Sequence, residues 1–305
     1  MAVRFVISEE GRDMRRFIGM LAALLVVGGA VLLWYPRATA PHVQSAYEAA
    51  AMLEQDVLEG GDGVLFRSEE IDPDEVYRAL EARYPYAFAL HAITRPDQTT
   101  ELRVEVSRQA RQEQAREYAA VLATDAVSED MTAEQKLRAL HDTLVRLCEY
   151  DVDTASDQTP DGASAPFAAD GALLDHKAVC AGYGRAFGML CEAAGLQTVY
   201  VASEDMNHGW NAVRLDGQTY YIDCTFDDPV PDRGSYVSDQ YFMLTAEELA
   251  QTHVWNEGFY ERLLDSMEKE KSKNEQKILD TAMDMDYNNY RRQRTGDTGK
   301  RNTAV

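Results

Sequence analysis

The chain has 305 residues, of which 45 % are hydrophobic and 27 % are charged, a composition ordinary for a folded protein with a hydrophobic core. Its 52 acidic and 30 basic residues give a formal net charge of −22. This excess argues against nucleic acid as a partner, because the phosphates would be repelled.

An apolar segment at residues 17–35, FIGMLAALLVVGGAVLLWY, contains neither a charge nor a proline. As a helix rising about 1.5 Å per residue, it would nearly span a hydrocarbon core about 30 Å thick. Arginines precede the segment, and Trp34 and Tyr35 end it. The positive-inside rule then places residues 1–16 in the cytoplasm and everything after Arg37 outside. We therefore predict a single-pass signal anchor in the cell membrane.

A cleaved signal peptide is the alternative, because Ala38-Thr39-Ala40 resembles an A-x-A cleavage site. Pro41 would then follow the cut, where proline is disfavoured. The apolar segment is also longer than the roughly 7–15 residues usual in a signal peptide. The sequence favours the uncleaved anchor and leaves cleavage open.

Residues 41–130 are predicted to form an N-terminal extension of helices and one strand. Asp72 is a good N-cap for the second of these helices. The predicted elements are two helices, an alternating strand and a polar helix, at 41–59, 74–83, 99–108 and 109–127. At the other end of the chain, residues 261–305 are charged and are predicted to pass from a helix into a disordered tail.

A compact domain is predicted between these parts, over residues 131–260. It opens with a helix, 132–148, whose apolar stripe includes His141 and Cys148. Because both residues fall on the buried stripe, we expect them in the core rather than in a site.

Cys180 stands at the start of an apolar helical stretch that ends at Gly195. The positive end of the helix dipole and the free N–H groups of a first turn favour a thiolate and can hold a developing oxyanion. Gly182 and Gly184 would leave room over this turn for a substrate backbone. Half of a disulfide or a small buried side chain would fit the same position, so the helix alone does not decide.

A β-hairpin is predicted at residues 207–229, because an Asp-Gly turn separates two alternating stretches. If the two residues flanking the turn are paired, Trp210 faces Asp223 across the strands. His208 shares the face of Trp210 by the two-residue period of a strand, so His208 and Asp223 become diagonal neighbours. This register brings a carboxylate within hydrogen-bond reach of an imidazole.

Cys180, His208 and Asp223 together make a Cys-His-Asp set suited to acyl transfer. Cys180 would attack a carbonyl carbon, and His208 would take the thiol proton and return it to the leaving group. Asp223 would fix the tautomer of the imidazole and stabilise its cation. We predict these three as the catalytic residues.

Three segments resemble the transglutaminase-like superfamily of papain-type cysteine enzymes: KAVCAGYGRAFGMLCEAAGL, HGWNAVRLDGQTYYIDCTFDD and YFMLTAEELAQTH. The helix AEQKLRALHDTLVRLCEYD resembles the one that precedes the nucleophile in short bacterial members. The resemblance covers about residues 130–256 and implies a triad on Cys180, His208 and Asp223. It also implies an α+β fold with a papain-like core, in which the cysteine helix packs on an antiparallel sheet that carries the other two residues.

Further site candidates are less specific. Papain-type enzymes often have a side-chain oxyanion donor upstream of the cysteine, but Leu174 cannot serve in that role. Tyr150, Tyr183 and Trp210 are candidates for the substrate cleft or the oxyanion site. His253 follows a capped helix and is expected to be structural.

No cofactor and no metal are predicted. The chain has no C-x-x-C pair, and the aspartates of the loop 151–170 lack the spacing of an EF-hand. Four cysteines are too few for a disulfide scaffold. If Cys180 is the catalytic thiol, the remaining Cys148, Cys191 and Cys224 could form one disulfide or none, so their state stays open.

The predicted function is hydrolysis of protein or peptide amides by an extracytoplasmic, membrane-anchored cysteine peptidase or amidase, with cell-envelope peptides among the candidate substrates. A lysine amine in place of water would make the enzyme a protein-crosslinking transglutaminase. A non-catalytic cell-surface binding module on the same fold is the third alternative. We favour hydrolysis, because nothing in the sequence forms a dedicated amine site.

Overall fold

The computed structural model describes residues 39–68, 71–157 and 161–295. The apolar segment 17–35 lies outside these ranges, so the membrane anchor stays a prediction. Within them, no helix combines the length and the apolar character needed to cross a bilayer.

A first compact unit ends at Arg108 and combines two helices with three strands. Its elements are α1 (Ala46–Leu58), β1 (Gly63–Arg67), α2 (Pro73–Arg83), β2 (Phe88–Thr94) and β3 (Thr99–Val106). The strands form an antiparallel sheet of order β1-β3-β2. The carboxylate of Asp72 accepts a hydrogen bond from the Asp74 amide at 3.0 Å, as expected of the N-cap of α2. Strands β1 and β2 were not predicted, and β2 is largely exposed and lacks an alternating pattern of burial.

The second unit begins at Gln109 and contains every residue predicted for the site. Its elements are α3 (Gln109–Ala126), α4 (Ala133–Leu147), β4 (Glu149–Tyr150), α5 (Val152–Ser156), β5 (Lys177–Ala178), α6 (Cys180–Ala193), β6 (Thr198–Ser203), β7 (His208–Leu215), β8 (Gln218–Ile222), β9 (Phe242–Leu244), α7 (Ala246–Leu249) and α8 (Glu257–Thr295). Strands β6 to β9 form an antiparallel sheet in chain order, and β4 and β5 form a short parallel pair. Helix α6 packs on β6 and β7. This confirms the predicted mixed architecture of a cysteine helix against an antiparallel sheet.

The division between the two units falls earlier than the predicted boundary at residue 130. Helix α3 was assigned to the N-terminal extension, but in the structure it packs against α6. Its buried stripe of Ala115, Ala119 and Ala123 repeats every four residues, so these small side chains share one face. The polar helix therefore belongs to the second unit.

Helix α6 lies at the centre of the second unit, and residues 182–187 and 189–191 are all buried. A helix buried on all sides belongs in the middle of a domain. The room expected over Gly182 and Gly184 is filled, because a Cβ at Gly184 would lie 2.6 Å from the ring of Tyr200. These glycines permit close packing of α6 and do not admit a substrate backbone.

Replacing Gly182 with alanine is expected to lower the free energy of unfolding by about 1–3 kcal/mol, the usual cost of overpacking. The new Cβ would meet the backbone oxygen of Pro166 at 2.5 Å and that of Ala168 at 3.1 Å. Backbone atoms cannot rotate away as a flexible side chain can. The measurement is urea unfolding beside Gly258→Ala, where the Cβ has only ordinary contacts of 3.4 Å or more. Equal stability of the two variants would contradict the close packing of α6.

Candidate active site

Cys180 differs from the other three cysteines in its exposure. All four cysteines are free, and only Cys180 is partly exposed. Burial raises the pKa of Cys148 to about 12 and also raises the pKa values of Cys191 and Cys224. Because the thiolate is the reactive form, the three buried thiols are inert at neutral pH. Cys180, the first residue of α6, is the accessible thiol.

The hairpin that carries His208 and Asp223 has the predicted register. Leu215 pairs with Gln218 and Asn211 pairs with Ile222, so the Asp-Gly turn sits where expected. Beyond the paired residues, His208 Nε2 lies 2.7 Å from Asp223 Oδ2. The diagonal contact predicted from strand geometry is therefore present.

The ring of His208 links the carboxylate to the thiol. Burial lowers the pKa of His208, but hydrogen bonds with Asp223 and Cys180, together with their negative charges, outweigh it and raise that pKa to about 9. Since Nε2 is engaged with Asp223, Nδ1 is the ring nitrogen left for the thiol of Cys180. The three side chains thus form a continuous chain of contacts.

The Asp223 carboxylate is completely buried and fully hydrogen-bonded. Oδ1 accepts the backbone N–H groups of Thr225 and Phe226 at 2.9 and 3.0 Å. Oδ2 lies near His208 and also 3.1 Å from His253 Nε2. Burial raises the pKa of Asp223, but the bonds to the two histidines and the backbone outweigh that cost and lower it below its ordinary value. Asp223 is therefore ionised at neutral pH.

His253 contacts Asp223, a contact that was not predicted from the sequence. It was expected to be structural, and its buried ring does support the fold, but Nε2 also reaches Asp223. The capping box between Thr245 and Glu248 shapes the short helix α7 that leads to it. The segment YFMLTAEELAQTH, part of the family resemblance, ends on this histidine and was the available signal.

His208, Asp223 and His253 also offer metal-ligand atoms that lie within 4.8 Å of one another. However, the two Nε2 atoms stand 2.7 and 3.1 Å from a single carboxylate oxygen, which are ordinary N–H···O distances. An ionised carboxylate only accepts, so both nitrogens donate to it. We therefore assign this cluster to hydrogen bonding.

Aromatic rings enclose the imidazole of His208. Phe226, which was not predicted as a site residue, stacks on it with ring centroids 4.6 Å apart and is 44 % exposed. Trp210 also packs near both histidines, with its ring centroid 5.6 Å from that of His208 and 4.7 Å from that of His253. Trp210 is buried and Phe226 is exposed, so Trp210 contacts the histidines within the core and Phe226 contacts them at the surface.

Tyr150 and Tyr183 lie in different surroundings, although both were candidates for the cleft. Burial and the charges of Cys180 and Asp223 raise the pKa of Tyr150, so its hydroxyl is protonated and can donate a hydrogen bond. Tyr183 is completely buried, and its hydroxyl lies 3.0 Å from the Cys148 carbonyl oxygen. The prediction that Tyr183 lines the cleft is therefore corrected: its ring points into the core, where it supports β4.

The turn after Asp223 is held by a second buried pair. His141 Nε2 lies 3.2 Å from Asp227 Oδ2, and both side chains are fully buried. Asp227 also accepts the backbone N–H of Tyr241. Burial lowers the pKa of His141, but its bonds to Asp142 and Asp227 raise it overall. His141 is thus a core residue, as predicted, and it fixes the loop that carries Asp223.

Known proteins resemble this part of the chain. A family model described as the transglutaminase-like superfamily matches residues 120–227. The kyphoscoliosis peptidases of Mus musculus and Homo sapiens are each 25 % identical over 142 residues, covering 41 % of this chain and 21 % of theirs. The chain thus spans about a fifth of the length of these curated relatives. A solved structure described as a TGase has 16 % identity and a TM-score of 0.31, covering 54 % of this chain and 51 % of that one. The match to the transglutaminase-like superfamily therefore covers the part of the chain that carries Cys180, His208 and Asp223.

Proposed function

We propose that the protein is a cysteine acyl-transfer enzyme that hydrolyses protein or peptide amides. The observation that carries the proposal is the contact of one imidazole, His208, with both the Asp223 carboxylate and the Cys180 thiol. A thiol paired with a carboxylate-oriented histidine is an activated nucleophile. The relatives named as peptidases are consistent with this chemistry.

The reaction uses these groups in two steps. The Cys180 thiolate attacks the amide carbon, and the C–N bond breaks as the His208 imidazolium gives its proton to the departing amine. Water then attacks the thioester while His208 accepts its proton, which releases the acid and restores the thiolate and imidazolium. The backbone N–H of Cys180 and the hydroxyl of Tyr150 are the candidate donors to the tetrahedral oxyanion.

We also propose that residues 17–35 anchor the enzyme in the cell membrane, with the catalytic unit outside. Cell-envelope proteins and peptides would then be the substrates within reach. The apolar segment and its flanking arginines support this arrangement.

Replacement of Cys180 with serine is expected to reduce amide cleavage by about 1,000-fold or more, because a serine hydroxyl is not ionised beside this imidazole. Wild-type activity is expected to fall as the pH rises through about 9, where His208 loses the proton that the amine needs. The measurement is mass spectrometry of a peptide library incubated with the full-length protein in detergent, with and without a lysine-like alkylamine. Cys148→Ser is the matched control, since Cys148 is buried.

Each product identifies one mechanism. Shortened or deamidated peptides would support hydrolysis. Amine-modified peptides would instead support transamidation, the reaction of a protein-crosslinking transglutaminase. Equal activity of the wild type and Cys180→Ser would contradict the proposal that the protein is a cysteine enzyme. Binding of peptides without any product would favour a non-catalytic module.

A further inference from the structure

We infer that His253 is a positioning residue, which holds the Asp223 carboxylate so that its Oδ2 faces His208. The inference deepens the proposed function and rests on it. Asp223 is the only acceptor in the described chain that both His208 and His253 contact through Nε2.

The carboxylate needs its fourth donor because it is completely buried. Two backbone N–H groups saturate Oδ1, and His208 takes one position on Oδ2. Asp223 is completely buried, and an unsatisfied acceptor in such a place carries a desolvation cost. Without a donor at residue 253, Asp223 is free to turn away from His208 in order to satisfy that oxygen.

Hydrogen bonds hold the His253 ring at both of its nitrogens. Because Asp223 only accepts, His253 Nε2 carries a hydrogen. On the other side of the ring, Thr252 Oγ1 lies 2.8 Å from His253 Nδ1 and 3.3 Å from the Leu249 carbonyl oxygen. His253 thus presents an N–H group to Asp223, and its ring centroid lies 5.7 Å from that of His208.

Neighbouring aromatic rings pack around the His253 ring and hold it in place. The ring is 1 % exposed, stands edge-on to Trp210 at 4.7 Å and lies 5.0 Å from Phe226. Its backbone N–H donates to the Leu249 carbonyl oxygen at 2.9 Å, which ties it to the end of α7. A buried ring held at both nitrogens is what a positioning role requires.

The test compares a variant that removes the donor with one that restores it. In the full-length protein, His253→Phe is expected to slow alkylation of Cys180 by iodoacetamide at pH 6 by about 10- to 100-fold, the usual effect of losing a group that orients a functional side chain. His253→Gln keeps an N–H donor and is expected to remain within about 3-fold of the wild type. His91→Phe and His91→Gln are the matched controls, because the His91 side chain is 62 % exposed.

A double-variant comparison separates positioning from packing. In an Asp223→Asn background, His253→Phe is expected to have little further effect on the alkylation rate. An equal slowing in both backgrounds, or a His253→Gln rate as low as that of His253→Phe, would overturn the inference. If His253→Phe does not fold, Thr252→Val tests the same chain of bonds. It is expected to slow alkylation about 3- to 10-fold, and an unchanged rate would contradict the role of His253.

The same assay separates failure of the inference from failure of the proposed function. A Cys180 rate that depends on His208 but not on His253 would overturn the inference alone. A rate that does not depend on His208 would overturn both.

Discussion

Replacement of His208 with alanine is expected to slow alkylation of Cys180 at pH 6 by about 100- to 1,000-fold. An ordinary thiol has a pKa of about 8.5 and is therefore only about 0.3 % thiolate at pH 6. In the wild type, the His208 imidazolium lies against the thiol and its pKa is raised to about 9, so its charge is present throughout the acidic range. The variant loses that charge, which in the proposed mechanism favours the thiolate over the thiol.

The pH dependence of this effect distinguishes electrostatic activation from simple disruption. At about pH 10 an ordinary thiol is ionised without help, so the two alkylation rates are expected to converge. The rates are measured by mass spectrometry of the peptide that contains Cys180. His42→Ala serves as the matched control, because His42 is exposed and lies in the first unit. Equal rates at pH 6, or the same slowing at every pH, would contradict the ion pair.

The hairpin explains why two of the three site residues could be placed from the sequence. An Asp-Gly turn requires left-handed backbone at both positions, and φ is +51° at Asp216 and +78° at Gly217. Once the turn is fixed, strand pairing fixes His208 relative to Asp223. Cys180 could be placed because it begins a helix, and the apolar periodicity of that helix is visible in the sequence.

Other contacts depend on chain segments that no local pattern connects. His253 reaches Asp223 only after the chain passes through a long loop and the edge strand β9, so residue spacing gave no sign of it. Tyr183 shares a helix with Cys180, but α6 is buried on nearly every side and has no polar face to show which way the site lies. Phe226 follows the last strand of the hairpin, where alternation no longer predicts orientation.

Replacement of Asp223 with asparagine is expected to lower kcat for amide cleavage by about 1,000- to 10,000-fold, the size of the loss when the orienting carboxylate of a triad is made neutral. The backbone N–H groups of Thr225 and Phe226 bind Oδ1, so the amide oxygen of the variant takes that position. Its NH₂ group then faces His208. Nε2 must become an acceptor, which leaves the hydrogen on Nδ1, the nitrogen that should receive the thiol proton.

The same substitution removes the charge that stabilises the imidazolium. Burial alone lowers the pKa of His208, so in Asp223→Asn this pKa is expected to fall from about 9 toward or below its ordinary value. The activity that remains is therefore expected to decline at a lower pH than in the wild type. Asp216→Asn is the matched control, because an Asn-Gly turn is as favourable as Asp-Gly. A loss smaller than tenfold in Asp223→Asn, in protein with an unchanged unfolding midpoint, would show that the carboxylate does not orient His208.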